Sequence, residues 1–222
     1  HGDYLGDHWM GEKDLFHDCS VRVPLIISDP DPLADATRGT VSQALVEGVD
    51  ITPTLLSYFG GRQKPHLIEG KNLMPVLQGT TDKVRDWAIS EYDYATREAR
   101  HTLDVEPDDS RLVMCADQRW KYMRAEGFRP MLFDLETDPQ ELVDLGKSTE
   151  HADVISRLTN ALFDWTRQHH SRVTVSKERV KSWRLMILIR ICAALTCHLT
   201  SQKLTLTYLK QSLSSSRTMS QN

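Results

Sequence analysis

The chain has 222 residues, with 27 Lys and Arg against 31 Asp and Glu, a formal net charge of −4 and 40% hydrophobic residues. That is enough chain to bury a core. The four cysteines, Cys19, Cys115, Cys192 and Cys197, have the spacing of neither a disulfide framework nor a zinc site, which leaves free thiols in a reducing compartment, read here as cytoplasmic.

The chain opens on HGDYLGDHWMGEKDLFHDCSVRVPLII, where nine charged or imidazole side chains sit among Gly2, Gly6 and Gly11 before an abrupt change to apolar, β-branched residues. No initiator Met and no strand precede it, so it reads as a catalytic loop cut from a larger protein. A polar, glycine-hinged loop feeding a buried strand is where α/β enzymes place chemistry. Val21 to Ser28 is the expected strand, a short apolar run stopped by Asp29, Pro30, Asp31 and Pro32. Asp50 is then expected to cap a helix over ITPTLLSYF that ends at Gly60 and Gly61 and packs Leu55, Leu56 and Phe59 on the sheet. Asn72 to Leu77 predicts a short helix and Trp87 to Tyr92 a strand. Leu112 to Ala116 and Trp120 to Arg124 flank Asp117, Gln118 and Arg119 as a hairpin, with Met131 to Asp134 as a third strand. Ala152 to His169 closes the body as an amphipathic helix with Val154, Leu158, Ala161, Leu162 and Trp165 on one side.

The composition then breaks. Residues 171–222 hold nine basic residues and one acidic, leaving 18 and 30 upstream, so the body is near −12 and the tail near +8. From Arg179 onward there is no Asp, Glu, Gly or Pro, whereas ordinary globular segments carry about a quarter charged residues of both signs. A basic tail suits nucleic acid or an anionic membrane surface. Arg190, however, interrupts an apolar run already shorter than the roughly 18 to 20 residues that a membrane span needs. The favoured reading is a segment outside the native fold, from a lost reading frame or a lost stop, with no nucleic acid bound and no membrane crossed.

The opening run resembles the sulfatases of the alkaline-phosphatase-like superfamily, nearest to their phosphonate monoester hydrolases and phosphodiesterases. Members read an Asp-His pair, then GDH, a Lys about a dozen positions after the His, and VRVPLII, which this chain matches from His1 to Ile27. Weaker matches follow in VEGVDITPTLLSYFGG, SEYDYATRE, RWKYMRAEG and LFDLETDPQELVDLG, so the resemblance covers His1 to about Ser176. It implies an α/β fold: residues 1–95 as the C-terminal portion of the catalytic alkaline-phosphatase-like sandwich, 96–176 as a small antiparallel α+β subdomain, and 177–222 as the basic tail.

The chemistry of such esters needs cations around the non-bridging oxygens. His1 suits a divalent metal, Mn²⁺, Ca²⁺, Mg²⁺ or Zn²⁺, and Lys13 suits a positive point charge on one oxygen. The resemblance assigns the same two roles, His1 as metal ligand and Lys13 as the lysine on the transferred group. It also implies a formylglycine nucleophile, made in the family from C/S-x-P-x-R, a motif this chain lacks. His8, Glu12, Asp3 and Asp7 are read as loop hydrogen-bonding residues, His17 and Asp18 as structural, and Glu136, Asp138 and Glu141 as an architectural turn.

Two function classes stay open. One is a hydrolase of small phosphonate, phosphodiester or sulfate ester substrates, inactive as this chain alone and compatible with oligomerisation of a full-length parent. The other is a non-enzymatic gene remnant or a basic-tailed interaction module. If the tail stands outside the fold, truncation after Arg179 leaves the thermal transition unchanged or sharper. A loss of several degrees in calorimetry would show instead that Leu185 to Leu195 packs on the body.

Overall fold

Strand alternation between Arg111 and Asp134 places apolar side chains on both faces, so the sheet they build has to be covered twice. The structure, a computed structural model, describes residues 2–63 and 68–168. Strands β1 (Ala88–Asp93), β2 (Arg111–Ala116), β3 (Trp120–Ala125) and β4 (Met131–Asp134) form one antiparallel sheet in the order β1-β2-β3-β4. The expected hairpin closes where predicted: the Asp117 carboxylate accepts from the backbone N–H of Arg119 at 2.8 Å and of Trp120 at 2.6 Å. Cys115 stands opposite Tyr122 and Met114 opposite Met123. β1 comes from before residue 95 and the other three strands from after it, and the ladder joins them.

The five described helices are α1 (Asp18–Val21), α2 (Ile51–Tyr58), α3 (Met74–Leu77), α4 (Glu98–Thr102) and α5 (Ala152–Gln168). The face with Cys115, Trp120, Tyr122 and Leu132 lies under Leu158, Ala161 and Leu162 of α5, with Val154, Ile155 and Trp165 at the margin. The other face, with Leu112, Met114, Ala116, Met123 and Phe133, is covered by Phe16, Leu15 and Val21 of the N-terminal run. Each large apolar side chain buried this way stabilises by roughly 1.5 to 3 kcal/mol.

One residue on the second face is a lysine. Lys121 stands opposite Phe133 and is 2% exposed. Its ammonium pairs with the Asp18 carboxylate and lies 2.7 Å from Oε1 of Glu141. Glu141 Oε2 also accepts the Asp18 backbone N–H. Burial pushes the Glu141 carboxyl above its ordinary value even with Lys121 opposing the shift. This triad ties α1 and the turn of LFDLETDPQELVDLG to the middle of the sheet. The other acids of that signature are also used locally. Asp134 receives a bidentate Arg119 at 2.9 and 2.7 Å, which holds its carboxyl at about 2. Asp144 Oδ1 accepts from Leu132 N at 3.1 Å and Gly146 N at 2.8 Å. A Cβ at Gly146 would fall 2.1 Å from the Pro130 carbonyl oxygen, so no larger residue fits.

A second buried carboxylate organises the α2 region. Asp50 is fully buried and accepts from Glu47 N at 2.8 Å, Lys71 N at 2.7 Å and both terminal nitrogens of Arg85 at 2.7 and 2.5 Å. Burial opposes ionisation, yet Arg85 and the backbone donors hold the carboxyl below its ordinary range. Glu47 pairs with Arg85 at 2.8 Å and accepts the outward N–H of Ile89 in β1 at 2.6 Å.

Three expectations are corrected here. Val21 to Ser28 does not form a strand: after α1 the chain is extended without a ladder, and Ile26 is 93% exposed. A strand needs a neighbour to pair with, and the described strands pair in the order β1-β2-β3-β4 without this segment, whose Leu25 and Ile26 stay exposed. The helix after Asp50 forms and ends at Gly60 (φ 68°), but its buried face is Pro53 and Thr54, while Leu55 and Phe59 are exposed. Nor does the Asp50 side chain cap it, because Arg85 and two loop amides occupy both oxygens. Residues 169–222, with the whole basic tail, lie outside the described residues.

Lys121→Met should cost about 3 kcal/mol in urea denaturation, since it leaves the buried Glu141 carboxylate and the half-buried Asp18 carboxylate without their cation. A change below about 0.5 kcal/mol would show that the triad does not hold the loop to the sheet.

Candidate functional site

The loop from Gly2 to His17 is pinched by backbone hydrogen bonds from Tyr4 N to Glu12 O at 2.8 Å and from Gly6 N to Met10 O at 2.9 Å. Its tip, Asp7–Trp9, is a single 3-10 turn. Four residues other than glycine take left-handed backbone here, Leu5 (φ 49°), His8 (φ 53°), Trp9 (φ 57°) and Glu12 (φ 58°). Such conformations cost roughly 1 to 2 kcal/mol each for L-residues and gather where geometry matters more than local stability. Trp9 is 95% exposed at the tip.

What holds the strained loop is an aromatic anchor at its base. Tyr4 is fully buried and its hydroxyl is 2.8 Å from Nδ1 of His17. His8 stacks on His17 with ring centroids 3.9 Å apart and planes 14° from parallel, and His17 meets the Phe133 ring edge-on at 5.4 Å. Burial, then His8 and Lys121, lower the His17 imidazole to about 4, and burial pushes the Tyr4 hydroxyl up to about 12. Both groups are therefore neutral near pH 7.

Lys13 follows the pinch and is exposed, with no ion pair of its own among the described residues. Its two neighbours are held. Asp14 Oδ1 accepts from the Tyr92 hydroxyl at 2.9 Å and pairs with Arg97 at 2.9 Å. Arg97 Nε also donates to the Tyr92 hydroxyl at 2.6 Å and reaches Glu12 at 4.0 Å. Asp3 caps the loop start by accepting Leu5 N at 2.9 Å. His1 lies outside the described residues. Among those described, no group of three or more His, Cys, Asp or Glu could hold a metal ion, so they do not by themselves make a metal site. No described helix is long and apolar enough to cross a membrane. A cleft of about 390 Å³ lined by Asp29, Asp31, Ser57, Asn72, Gln78 and Thr80 includes no residue of the loop.

Sequence reading did not find the Tyr4, His8 and His17 anchor or the Asp14, Tyr92 and Arg97 cluster. Their members are 13 and 78 positions apart, and no periodic signal links such distances.

The family model for the C-terminal region of N-sulphoglucosamine sulphohydrolase matches residues 6–168. The multifunctional alkaline phosphatase superfamily protein PehA of Trinickia caryophylli is 28% identical over 78% of this chain and 34% of its own length. An arylsulfatase of Clostridium perfringens is 32% identical over 73% of this chain and 31% of its own. The crystal structure of the phosphonate monoester hydrolase of Agrobacterium radiobacter superposes with a TM-score of 0.66 at 31% identity, covering 76% of this chain and 34% of that one. The chain belongs to the sulfatase family of the alkaline-phosphatase-like superfamily, as its opening motif implied, and it spans about a third of the length of these relatives. Its four-stranded antiparallel sheet with α5 is the small α+β part expected at the C-terminal end of that fold.

His17 makes the loop sensitive to acid. Its pKa is depressed from 6.5 to about 4 in the fold, so between those values the unfolded chain binds the proton first and stability falls as pH falls. Its contribution is fully present above about pH 6.5, and the protein should be about 2 kcal/mol less stable at pH 5 than at pH 7 from this group. His17→Gln should remove most of that difference in paired urea titrations. An undiminished loss would assign it to other groups.

Proposed function

We propose that this chain is the C-terminal part of a hydrolase of small phosphonate monoester, phosphodiester or sulfate ester substrates, with Lys13 as the cation that contacts the transferred group. The observation that carries the proposal is Lys13 itself, exposed on a strained and firmly anchored loop within residues 6–168, the stretch that matches the sulphohydrolase C-terminal family model. Residues 1–95 are proposed to belong to the catalytic α/β domain and 96–176 to its C-terminal subdomain, with β1 of the first part completing the sheet of the second.

The chemistry follows from charge. As the ester bond breaks, negative charge grows on the non-bridging and leaving oxygens, and a donor already held in place stabilises that charge without reorganising. An ammonium is a compact point charge that can serve one oxygen. The anchor of Tyr4, His8 and His17 fixes the loop that carries it, and Tyr4 and His17 themselves are neutral near pH 7. His1 is proposed as a ligand of the divalent metal that the family resemblance implies, a metal that would supply further positive charge when bound. The nucleophile is proposed to be a formylglycine carried by another part of the enzyme. The sequence of this chain has no C/S-x-P-x-R motif to supply it.

Residues 1–222 alone should therefore show no turnover of phosphonate monoester, phosphodiester or aryl sulfate with Mn²⁺, Ca²⁺ or Zn²⁺ added in turn, because nucleophile and cation act as a unit. Metal-dependent turnover by this chain that Lys13→Ala abolishes would mean that it carries its own nucleophile. In the enzyme that joins this segment to a formylglycine-bearing portion, Lys13→Ala should lower kcat/KM by about a hundredfold or more, on the order of 3 kcal/mol in the transition state, with folding nearly intact. Activity within threefold of the parent would reject the assignment. His1→Ala there should be partly rescued by excess divalent ion.

A further inference from the structure

We infer that Tyr92 and Arg97 are positioning residues for Lys13, a role that rests on the reading of Lys13 as the cation on the transferred group. The geometry is specific. Lys13 sits between two carboxylates, and the Arg97 guanidinium reaches both of them, Asp14 at 2.9 Å and Glu12 at 4.0 Å. The Tyr92 hydroxyl is shared: it donates to Asp14 Oδ1 at 2.9 Å and accepts from Arg97 Nε at 2.6 Å. Tyr92 is on β1, opposite Leu112 of β2, so its ring is carried by the sheet and not by a loop.

Three features make this more than a surface ion pair. Glu12 is in left-handed backbone, so the segment entering Lys13 is strained and would relax without an external hold. The hold comes from β1, which is ordered by its ladder. Finally, Arg97 pairs with both carboxylates that flank Lys13, and the Tyr92 hydroxyl orients Asp14. With Asp14 turned toward Arg97, the ammonium is left unpaired among the described residues and available to an anionic ligand. Without Arg97 and Tyr92, Glu12 and Asp14 are the nearest anions in sequence and would compete for the same ammonium.

The first test uses the chain as it stands. Arg97→Ala in residues 1–222 should speed amide hydrogen exchange at Tyr4, whose N–H is held by the Glu12 carbonyl at 2.8 Å, at least tenfold while the Cys115 and Met123 amides of the sheet keep parental protection. Unchanged exchange at Tyr4 overturns the inference. Tyr92→Phe and Arg97→Lys give the same reading with smaller changes, and they decide the matter if Arg97→Ala does not fold.

The second test is a double-mutant cycle in the enzyme that joins this segment to its formylglycine-bearing portion. Arg97→Ala should lower kcat about tenfold with KM changed less than threefold, and Arg97→Lys should recover part of the loss. In the Lys13→Ala background, Arg97→Ala should have no further effect, since a residue that acts through Lys13 has nothing left to position. Additive losses overturn the positioning role while leaving Lys13 in place. A Lys13→Ala enzyme within threefold of the parent instead removes the reading beneath it.

Discussion

The described structure depends on one buried ammonium. Lys121 emerges from the middle of the sheet on a face that is otherwise apolar, and it is stable there only because Asp18 and Glu141 arrive from two distant segments to meet it. Glu141 would not be buried without the lysine, nor the lysine without Glu141 and the half-buried Asp18. The triad therefore fixes three things together: the register of the N-terminal run on the sheet, the path of the C-terminal turn, and the polarity of the space beneath His17, which Lys121 helps to keep neutral.

From this anchor outward, the molecule is built so that a rigid sheet carries a strained loop. The Phe133 ring of β4 meets His17, His17 stacks on His8 and bonds Tyr4, and the loop above them takes up left-handed residues that it would not adopt alone. On the other side, β1 offers Tyr92 and Arg97 follows shortly after it, gripping the segment on which Lys13 stands. Strain in the loop is thus offset by packing and hydrogen bonds to the sheet and to Arg97. Such an arrangement suits a charge that must be in position before an ester bond breaks.

Parts of the fold were legible because their signals are local. The hairpin around Asp117, the strand at Met131 to Asp134 and the α5 helix each follow from alternation, turn residues or helical spacing within a short window. Val21 to Ser28 and the outward face of α2 were misread for one shared reason. Apolar composition says that a segment suits burial, not what will bury it: the described strands pair without the first, and Leu55 and Phe59 of the second stay exposed.

By itself the sequence determined the family, through a long contiguous motif, and picked out Lys13 from its position within that motif. It determined the local elements whose periodicity is strong. Only the tertiary structure decided that Lys121 is a buried structural cation and not a surface lysine, that His17 is a neutral anchor, and that the carboxylates beside Lys13 are held by Tyr92 and Arg97. Each of these turns on burial and on partners up to 103 positions away. Burial and remote partners set the charge and conformation of a side chain, and no window of neighbouring residues contains them.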